Sequence, residues 1–313
     1  MPQKQIGWQG MTLEVPEGWE VTGFSGDYKE GYLRIDDGES QSCELKWGSW
    51  DKREKKEPDV EVRAESYLGT LERTAKKKKQ SLTGKLTTPP KGAVRPERLI
   101  TGFAFTGENR AAGISLYCKE SHRVLIAQVQ GATAKIAEAV LASIEVRDAV
   151  EGWRRWALYD LCCDVPSDFL LSTQQVMNVY MMLSFARGCE RLTIEQWGVA
   201  DVARKDSYLD IWMSMNTKGE LGLMKVDANE VEGGVHGHDA IHFEGRPQIG
   251  LPLWNALKES LRQFKAPALR FMAYAWECPE GNKLYLVQHT RTRKAADLAE
   301  VAAKRVYCHG GVA

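Results

Sequence analysis

The chain has 313 residues, a length that suits two domains because soluble domains commonly hold roughly 100–200 residues. Lys and Arg number 42, and so do Asp and Glu, so the net charge is zero and argues against nucleic-acid binding, which needs a basic excess. Seven scattered cysteines and the lack of an apolar run of about 20 residues predict a cytoplasmic protein with reduced thiols that does not cross a membrane.

An opening strand that recurs predicts that the same domain occurs twice. The apolar strand that ends at Val15-Pro16 has a counterpart that ends at Val165-Pro166, 150 positions later. At this offset Trp47 corresponds to Trp197. We therefore predict an α+β protein with two tandem copies of an antiparallel sheet flanked by helices. The predicted domains are 1–149 and 150–313.

A hairpin and then a helix are predicted to follow the opening strand in each copy. Glycines mark the two hairpin turns, at Gly38 and Gly188. Asp59 and Asp201 are the predicted start signals of the two helices. The apolar positions at helical spacing are Val60, Ala64, Leu68, Leu71 and Ala75 in copy one, and Val202, Leu209, Trp212 and Met215 in copy two.

A second hairpin and a closing helix are predicted to complete each copy. Cys118 and Cys278 occupy the same place in these hairpins, 160 positions apart, and Gln128 corresponds to Gln288. The larger offset predicts an inserted segment near 251–265 in copy two. Its apolar spacing is that of an amphipathic helix, and its candidate partner-binding residues are Trp254, Leu257, Leu261 and Phe264.

Three histidines near the start of a predicted strand form the clearest candidate metal site. His236, His238 and His242 offer the imidazole nitrogens that Zn²⁺ binds. On an extended strand, however, His238 and His242 would lie roughly 13 Å apart, at about 3.3 Å per residue, which is too far for one ion. We therefore favour a turn that leads into a strand over a metal site, and we expect no cofactor.

Two other features have a chemical and a plain structural interpretation. Cys118 and His122 flank a hairpin turn and could form a thiol nucleophile with its base, but copy two has Asn282 in place of the histidine. A buried hairpin cysteine is therefore the favoured interpretation. Lys76 to Lys79 could contact phosphates, but cations are also favourable at a helix C-terminus, so we expect a solvated helix end.

Short motifs in both copies resemble the PsbP-like fold. The carrying residues are Leu13 to Trp19 in copy one, and Val165-Pro166 with Gly237-His238-Asp239-Ala240 in copy two. The second motif is similar to a Gly-His-x-Ala turn before a central strand. Phe169 stands where the pattern has Trp, and copy one has no Gly-His-x-Ala. The resemblance implies an α/β sandwich, usually non-enzymatic, that binds protein partners.

These observations predict a non-enzymatic adaptor, scaffold or assembly subunit that binds protein partners. One possible partner is a second copy of the same chain. The duplicated pattern without a duplicated polar constellation favours binding over catalysis. The alternative is a metal-dependent or thiol enzyme that uses His236, His238 and His242, or Cys118.

Overall fold

A computed structural model describes residues 3–54, 56–108, 110–147, 149–205, 207–217, 224–247 and 270–309. The chain divides into two compact units, Met1–Asp160 and Leu161–Ala313. Antiparallel strands with a few helices build both units, so the predicted α+β class is confirmed. Within the described ranges, no helix is long and apolar enough to cross a membrane.

The first unit contains eleven described strands and two α-helices, with a short 3₁₀ turn at Lys91–Ala93. Seven of the strands form one antiparallel sheet in the order β3-β4-β5-β9-β8-β7-β6. The strands are β1 (Gln3–Trp8), β2 (Met11–Pro16), β3 (Glu20–Gly26), β4 (Glu30–Asp36), β5 (Ser42–Ser49), β6 (Thr83–Thr87), β7 (Arg98–Thr106), β8 (Arg110–Cys118), β9 (Arg123–Gln130), β10 (Glu145–Val146) and β11 (Trp153–Leu158), and the helices are α1 (Val60–Lys77) and α2 (Ala134–Ser143).

Helix α1 forms as the sequence predicts. The Asp59 carboxylate accepts hydrogen bonds from the backbone N–H groups of Glu61 and Val62, which satisfies two donors of the first turn. Its buried side chains, among them Ala64 and Leu68, pack on one face of the seven-stranded sheet. The exposed Lys76 to Lys79 run ends this helix, as expected.

A smaller group of strands explains why the first unit extends beyond residue 149. Within this unit β10, β2, β1 and β11 pair in that order, and Gly7 of β1 lies opposite Ala157 of β11. Trp8 and Trp156 are both buried, with their ring centroids 5.2 Å apart. Strand β11, which falls within the predicted bounds of copy two, therefore packs in the core of the first unit.

The second unit has a seven-stranded sheet in the order β13-β14-β15-β19-β18-β17-β16, which is the order of the first unit's sheet. The two units therefore share one topology, as a tandem repeat requires. Its strands are β12 (Leu161–Pro166), β13 (Leu170–Met177), β14 (Tyr180–Arg187), β15 (Glu190–Gly198), β16 (Met224–Glu230), β17 (Ala240–Pro247), β18 (Arg270–Cys278) and β19 (Lys283–Arg291), and its described helices are α3 (Ala200–Arg204), α4 (Leu209–Asn216) and α5 (Ala299–Ala303).

The two tryptophans matched by the repeat occupy different register positions, so that match is wrong. The second hairpins agree, since Cys118 pairs with Arg123 and Cys278 with Lys283. Trp47 pairs with Leu125, two residues past Arg123, whereas Trp197 pairs with Leu284, one residue past Lys283. A shift of one residue reverses the face on which a side chain lies.

The surroundings of the two rings agree with this difference in register. Trp197 packs against Trp212 of α4, with ring centroids 4.8 Å apart. Trp47 follows Lys46, whose ammonium lies over the Tyr67 ring of α1, so Trp47 points away from the helix. The cause is the first hairpin turn, which has five residues between paired Asp36 and Ser42, against four between paired Ala186 and Arg191.

The helix predicted after Asp201 is two short helices instead of one. Helix α3 ends at Arg204 and α4 begins at Leu209, and Lys205 has a φ of 51°, in the left-handed region. The break rotates the two helices out of one helical phase, so Val202 and Met215 are exposed and only Trp212 of the predicted core positions is fully buried. The predicted inserted helix, 251–265, lies outside the described residues, as do Trp254, Leu257, Leu261 and Phe264.

Candidate metal centre

A tight turn places His238 just before β17, in the connection from β16. Val235 and His238 exchange both backbone hydrogen bonds, at 2.9 and 3.0 Å, across the two turn residues His236 and Gly237. Both turn residues have positive φ, 53° and 81°, which is the pattern of a type I′ turn. Gly234 also has positive φ, and a Cβ there would lie 1.9 Å from the His238 carbonyl oxygen, so only glycine fits.

Two further segments bring sulfur and nitrogen atoms to His238. Cys278 is the last residue of β18 and is buried. Cys308 and His309 follow α5. Backbone contacts hold the two residues before them in place, because Val306 forms a β-bridge with Cys163 and the Tyr307 N–H donates to the Cys162 carbonyl. The group of His238, Cys278, Cys308 and His309 is called the His/Cys cluster below.

The potential ligand atoms of the His/Cys cluster all lie within 4.8 Å of one another. His238 Nε2 is 3.0 Å from His309 Nδ1, and that nitrogen is 3.1 Å from Cys308 Sγ and 3.5 Å from Cys278 Sγ. Around a tetrahedral Zn²⁺ with ordinary bond lengths, N···N separations are about 3.3 Å and N···S separations about 3.6 Å. The three distances differ from these values by about 0.1 to 0.5 Å, so small movements of the side chains would bring these atoms to a tetrahedral arrangement.

The electrostatics of the cluster bear on how it would bind a metal ion. Burial and the neighbouring Cys278 raise the pKa of Cys308 to about 11, so the Cys308 thiol must lose its proton when it binds a metal ion. Burial lowers the pKa of His238, against the opposing effect of Glu280, and keeps its imidazole in the neutral form that binds metals. Glu280 Oε2 lies 3.8 Å from His238 Nε2 and adds negative charge beside the cluster.

The other two predicted histidines do not join His238. His236 Nε2 lies 3.3 Å from the Ala303 carbonyl oxygen of α5. The His242 ring packs against Tyr274 of the neighbouring strand, with centroids 4.7 Å apart. The structure therefore does not bring together the alternative metal set of His236, His238 and His242, which agrees with the turn into a strand that the sequence favours.

The alternative pair of Cys118 and His122 has other contacts in the structure. Cys118 is buried, and its thiol donates to the Val146 carbonyl at 3.3 Å. His122 Nδ1 lies 3.1 Å from the Tyr117 hydroxyl. The contacts of Cys118 are those of the buried hairpin cysteine that the sequence favours.

An open groove of about 1000 Å³ adjoins the cluster, and His238 is one of its lining residues. Carboxylates dominate the charged side chains of its lining, which are Arg204, Asp210, Glu230, Asp239 and Glu277. Arg204 pairs with Glu277 at 2.9 Å. Tyr208 lies at the rim, with 78% of its surface exposed.

Sequence reasoning missed three of the four cluster residues. Cys278 and Cys308 are 30 positions apart, and neither has a second cysteine or a histidine at the short spacing of a familiar zinc motif. Two features of the sequence could have indicated the cluster. They are the adjacent pair Cys308-His309 near the end of the sequence and the prediction that Cys278 ends a hairpin strand.

Comparison with known proteins gives no family assignment. No family model matches the chain, and no curated protein matches it. Among solved structures, the chain is similar to the apo structure of the immunity protein TplEi of T6SS from Pseudomonas aeruginosa. The TM-score is 0.29 and the identity 9%, over 96% of this chain and 93% of that one. At this TM-score the similarity supports no conclusion about fold or function.

Proposed function

We propose that this protein binds one Zn²⁺ in its second unit, through His238 Nε2, Cys278 Sγ, Cys308 Sγ and His309 Nδ1. The observation that carries the proposal is the convergence of these four atoms, from three separate segments, within 4.8 Å. Two thiolates and two imidazoles form one of the common zinc ligand sets, and thiolates select against Mg²⁺ and Ca²⁺.

The number of ligands favours a structural ion over a catalytic one. Catalytic zinc sites have three protein ligands and leave a position for water or substrate, whereas structural sites have four. The ion would join the turn that holds His238, the end of β18 and the segment after α5. Because structural zinc contributes directly to folding, it would stabilise this part of the second unit.

Metal analysis of protein purified without a tag tests this proposal. We expect about one zinc per wild-type chain and a large loss in His309→Ala. His122→Ala, a histidine of the first unit whose ring contacts Tyr117, is the matched control and keeps its zinc. A wild-type chain without zinc after reconstitution, or equal zinc in wild type and His309→Ala, contradicts the proposal.

A second candidate function is protein binding, which a specific surface favours. Ile211 and Met215 of α4 and its N-cap residue Tyr208 are exposed apolar side chains, with 48%, 60% and 78% of their surfaces exposed. This set is called the apolar stripe. The other side of α4, with Trp212 and Met213, is already buried against the sheet. Exposed apolar sets on one helix are typical of helix-mediated protein contacts.

This candidate includes the adaptor role predicted from the sequence, which stays a proposal. We also propose that the two units are PsbP-like. Supporting the latter, Gly237-His238-Asp239-Ala240 lies in the turn that enters β17, where the resemblance requires it. The interface predicted at Trp254, Leu257, Leu261 and Phe264 stays a prediction.

Affinity purification from the native cell tests the apolar stripe. The triple variant Tyr208→Ser, Ile211→Ser, Met215→Ser is compared with wild type and with Val62→Ser, an exposed apolar position on α1 of the first unit. We expect partners that wild type and Val62→Ser retain and the triple variant loses, confirmed by reciprocal purification. Identical partner sets for all three proteins contradict this candidate.

A further inference from the structure

We propose that the zinc centre is also a redox switch, in which a hydroperoxide joins Cys278 and Cys308 in a disulfide and releases the ion. This inference rests on the proposed zinc binding. It adds a regulated state of the same site, in which the link through zinc is replaced by a covalent link between two of its four ligands.

The two sulfur atoms are close enough to bond after a small movement. They lie within 4.8 Å of each other, and Cys278 Sγ is 3.7 Å from the Cys308 carbonyl oxygen. A disulfide requires a separation of about 2.05 Å, so the sulfurs must approach by at most roughly 2.7 Å. Cys308 lies beyond α5, outside any described helix or strand, and rotation of its side chain can supply this movement.

Exposure decides which sulfur reacts first. Cys278 is buried at the end of β18, whereas Cys308 is partly exposed and its neighbour His309 is exposed. A small oxidant from solvent therefore reaches Cys308 before Cys278. Buried Cys278 is in position to act as the resolving thiol.

The reaction balances with a hydroperoxide as the only oxidant. The Cys308 thiolate attacks one peroxide oxygen, the O–O bond breaks, and the sulfur becomes a sulfenic acid. The other oxygen leaves as hydroxide from hydrogen peroxide, or as alkoxide from an organic hydroperoxide, and takes a proton from water. The Cys278 thiolate then attacks that sulfur, the S–O bond breaks, and hydroxide leaves and is protonated. Two thiolates lose two electrons, the peroxide gains them with two protons, and Zn²⁺ leaves with its charge unchanged.

The remaining cysteines provide an internal test of selectivity. Cys43, Cys118, Cys162 and Cys163 are buried, and only Cys189, in the turn between β14 and β15, is partly exposed like Cys308. Simple exposure would make Cys189 as reactive as Cys308. A partner thiol in the same metal site is what distinguishes Cys308.

The experiment treats the zinc-loaded full chain with hydrogen peroxide in the presence of a chromogenic zinc chelator. We expect about one zinc released per chain, two thiols lost, and a Cys278–Cys308 linked peptide in the mass spectrum. Dithiothreitol should then restore zinc binding. The control variant Cys189→Ser should release zinc at the wild-type rate.

The outcomes separate the switch from the site. Zinc that stays bound while free thiols oxidise, or zinc release with a disulfide to another cysteine, overturns the switch and leaves zinc binding intact. A chain that holds no zinc before oxidation, even after reconstitution, overturns both.

Discussion

Replacing Cys278 with serine should abolish the effect of zinc on the stability of the second unit. Zinc that binds only the folded chain stabilises it by about 4.1 kcal/mol when its free concentration is 1000 times the Kd. The second unit spans 153 residues, from 161 to 313. For this size each kcal/mol shifts the Tm by about 2–4 °C, so the full effect is about 8–16 °C.

A serine hydroxyl cannot replace a thiolate ligand at neutral pH. If the Kd rises 1000-fold, the same zinc concentration stabilises the variant by only about 0.4 kcal/mol, or about 1 °C. Cys118→Ser is the matched control, because Cys118 has the same place in the first unit's hairpin and is equally buried. Both variants replace a buried thiol, so the intrinsic cost of substitution is similar and only the response to zinc differs.

Differential scanning calorimetry of each protein with zinc and with EDTA measures this response. We expect the shift of about 8–16 °C in wild type and in Cys118→Ser, and a shift near 1 °C in Cys278→Ser. A full zinc shift in Cys278→Ser would refute the reasoning, because it would locate the stabilising ion elsewhere.

Further predictions concern the ligand set, pH and two local structures. His238→Ala should lower zinc content while His242→Ala keeps it, measured by metal analysis, and equal losses would contradict the assignment. Because the Cys308 thiol has a pKa of about 11 without metal and must lose its proton to bind, zinc affinity in a chelator competition should rise at least tenfold per pH unit from pH 7 to 9; a flat profile contradicts thiolate ligation. Asp59→Ala should cost the first unit about 1 kcal/mol in urea unfolding, with no change expected in zinc content. Gly234→Ala should weaken zinc binding more than Gly233→Ala, since a Cβ at Gly233 meets no atom within 4 Å; equal effects would contradict the role of the close approach.

The sequence predicted the parts of the fold that depend on local pattern. Helix α1 could be predicted because Asp59 caps it and its apolar residues recur at helical spacing. The hairpin turns could be predicted from Gly38 and Gly188, both of which have positive φ. These signals lie within a few residues of one another, so no knowledge of the tertiary structure was needed.

The errors arose where a single residue changes a long-range relation. One residue fewer in a hairpin turn shifts Trp197 by one register position relative to Trp47 and reverses its face. Lys205 in the left-handed region divides the predicted helix and exposes Met215. Neither the shorter turn nor the left-handed residue changes the pattern of apolar residues much, so a comparison of the two copies by sequence does not detect them.

The His/Cys cluster depends wholly on tertiary structure. His238, Cys278 and Cys308 are separated by 40 and 30 positions, and only the pairing of β17 with β18 and the return of the chain after α5 bring them together. Local reasoning compared His238 with His236 and His242 instead, because they are near in sequence.

X-ray absorption at the zinc edge tests the central claim most directly. For reconstituted wild-type protein we expect a four-coordinate shell with two sulfur atoms at about 2.3 Å and two imidazole nitrogens at about 2.0–2.1 Å. A shell of oxygen and nitrogen alone would contradict the assignment of Cys278 and Cys308 as ligands, and with it the zinc centre proposed for the second unit.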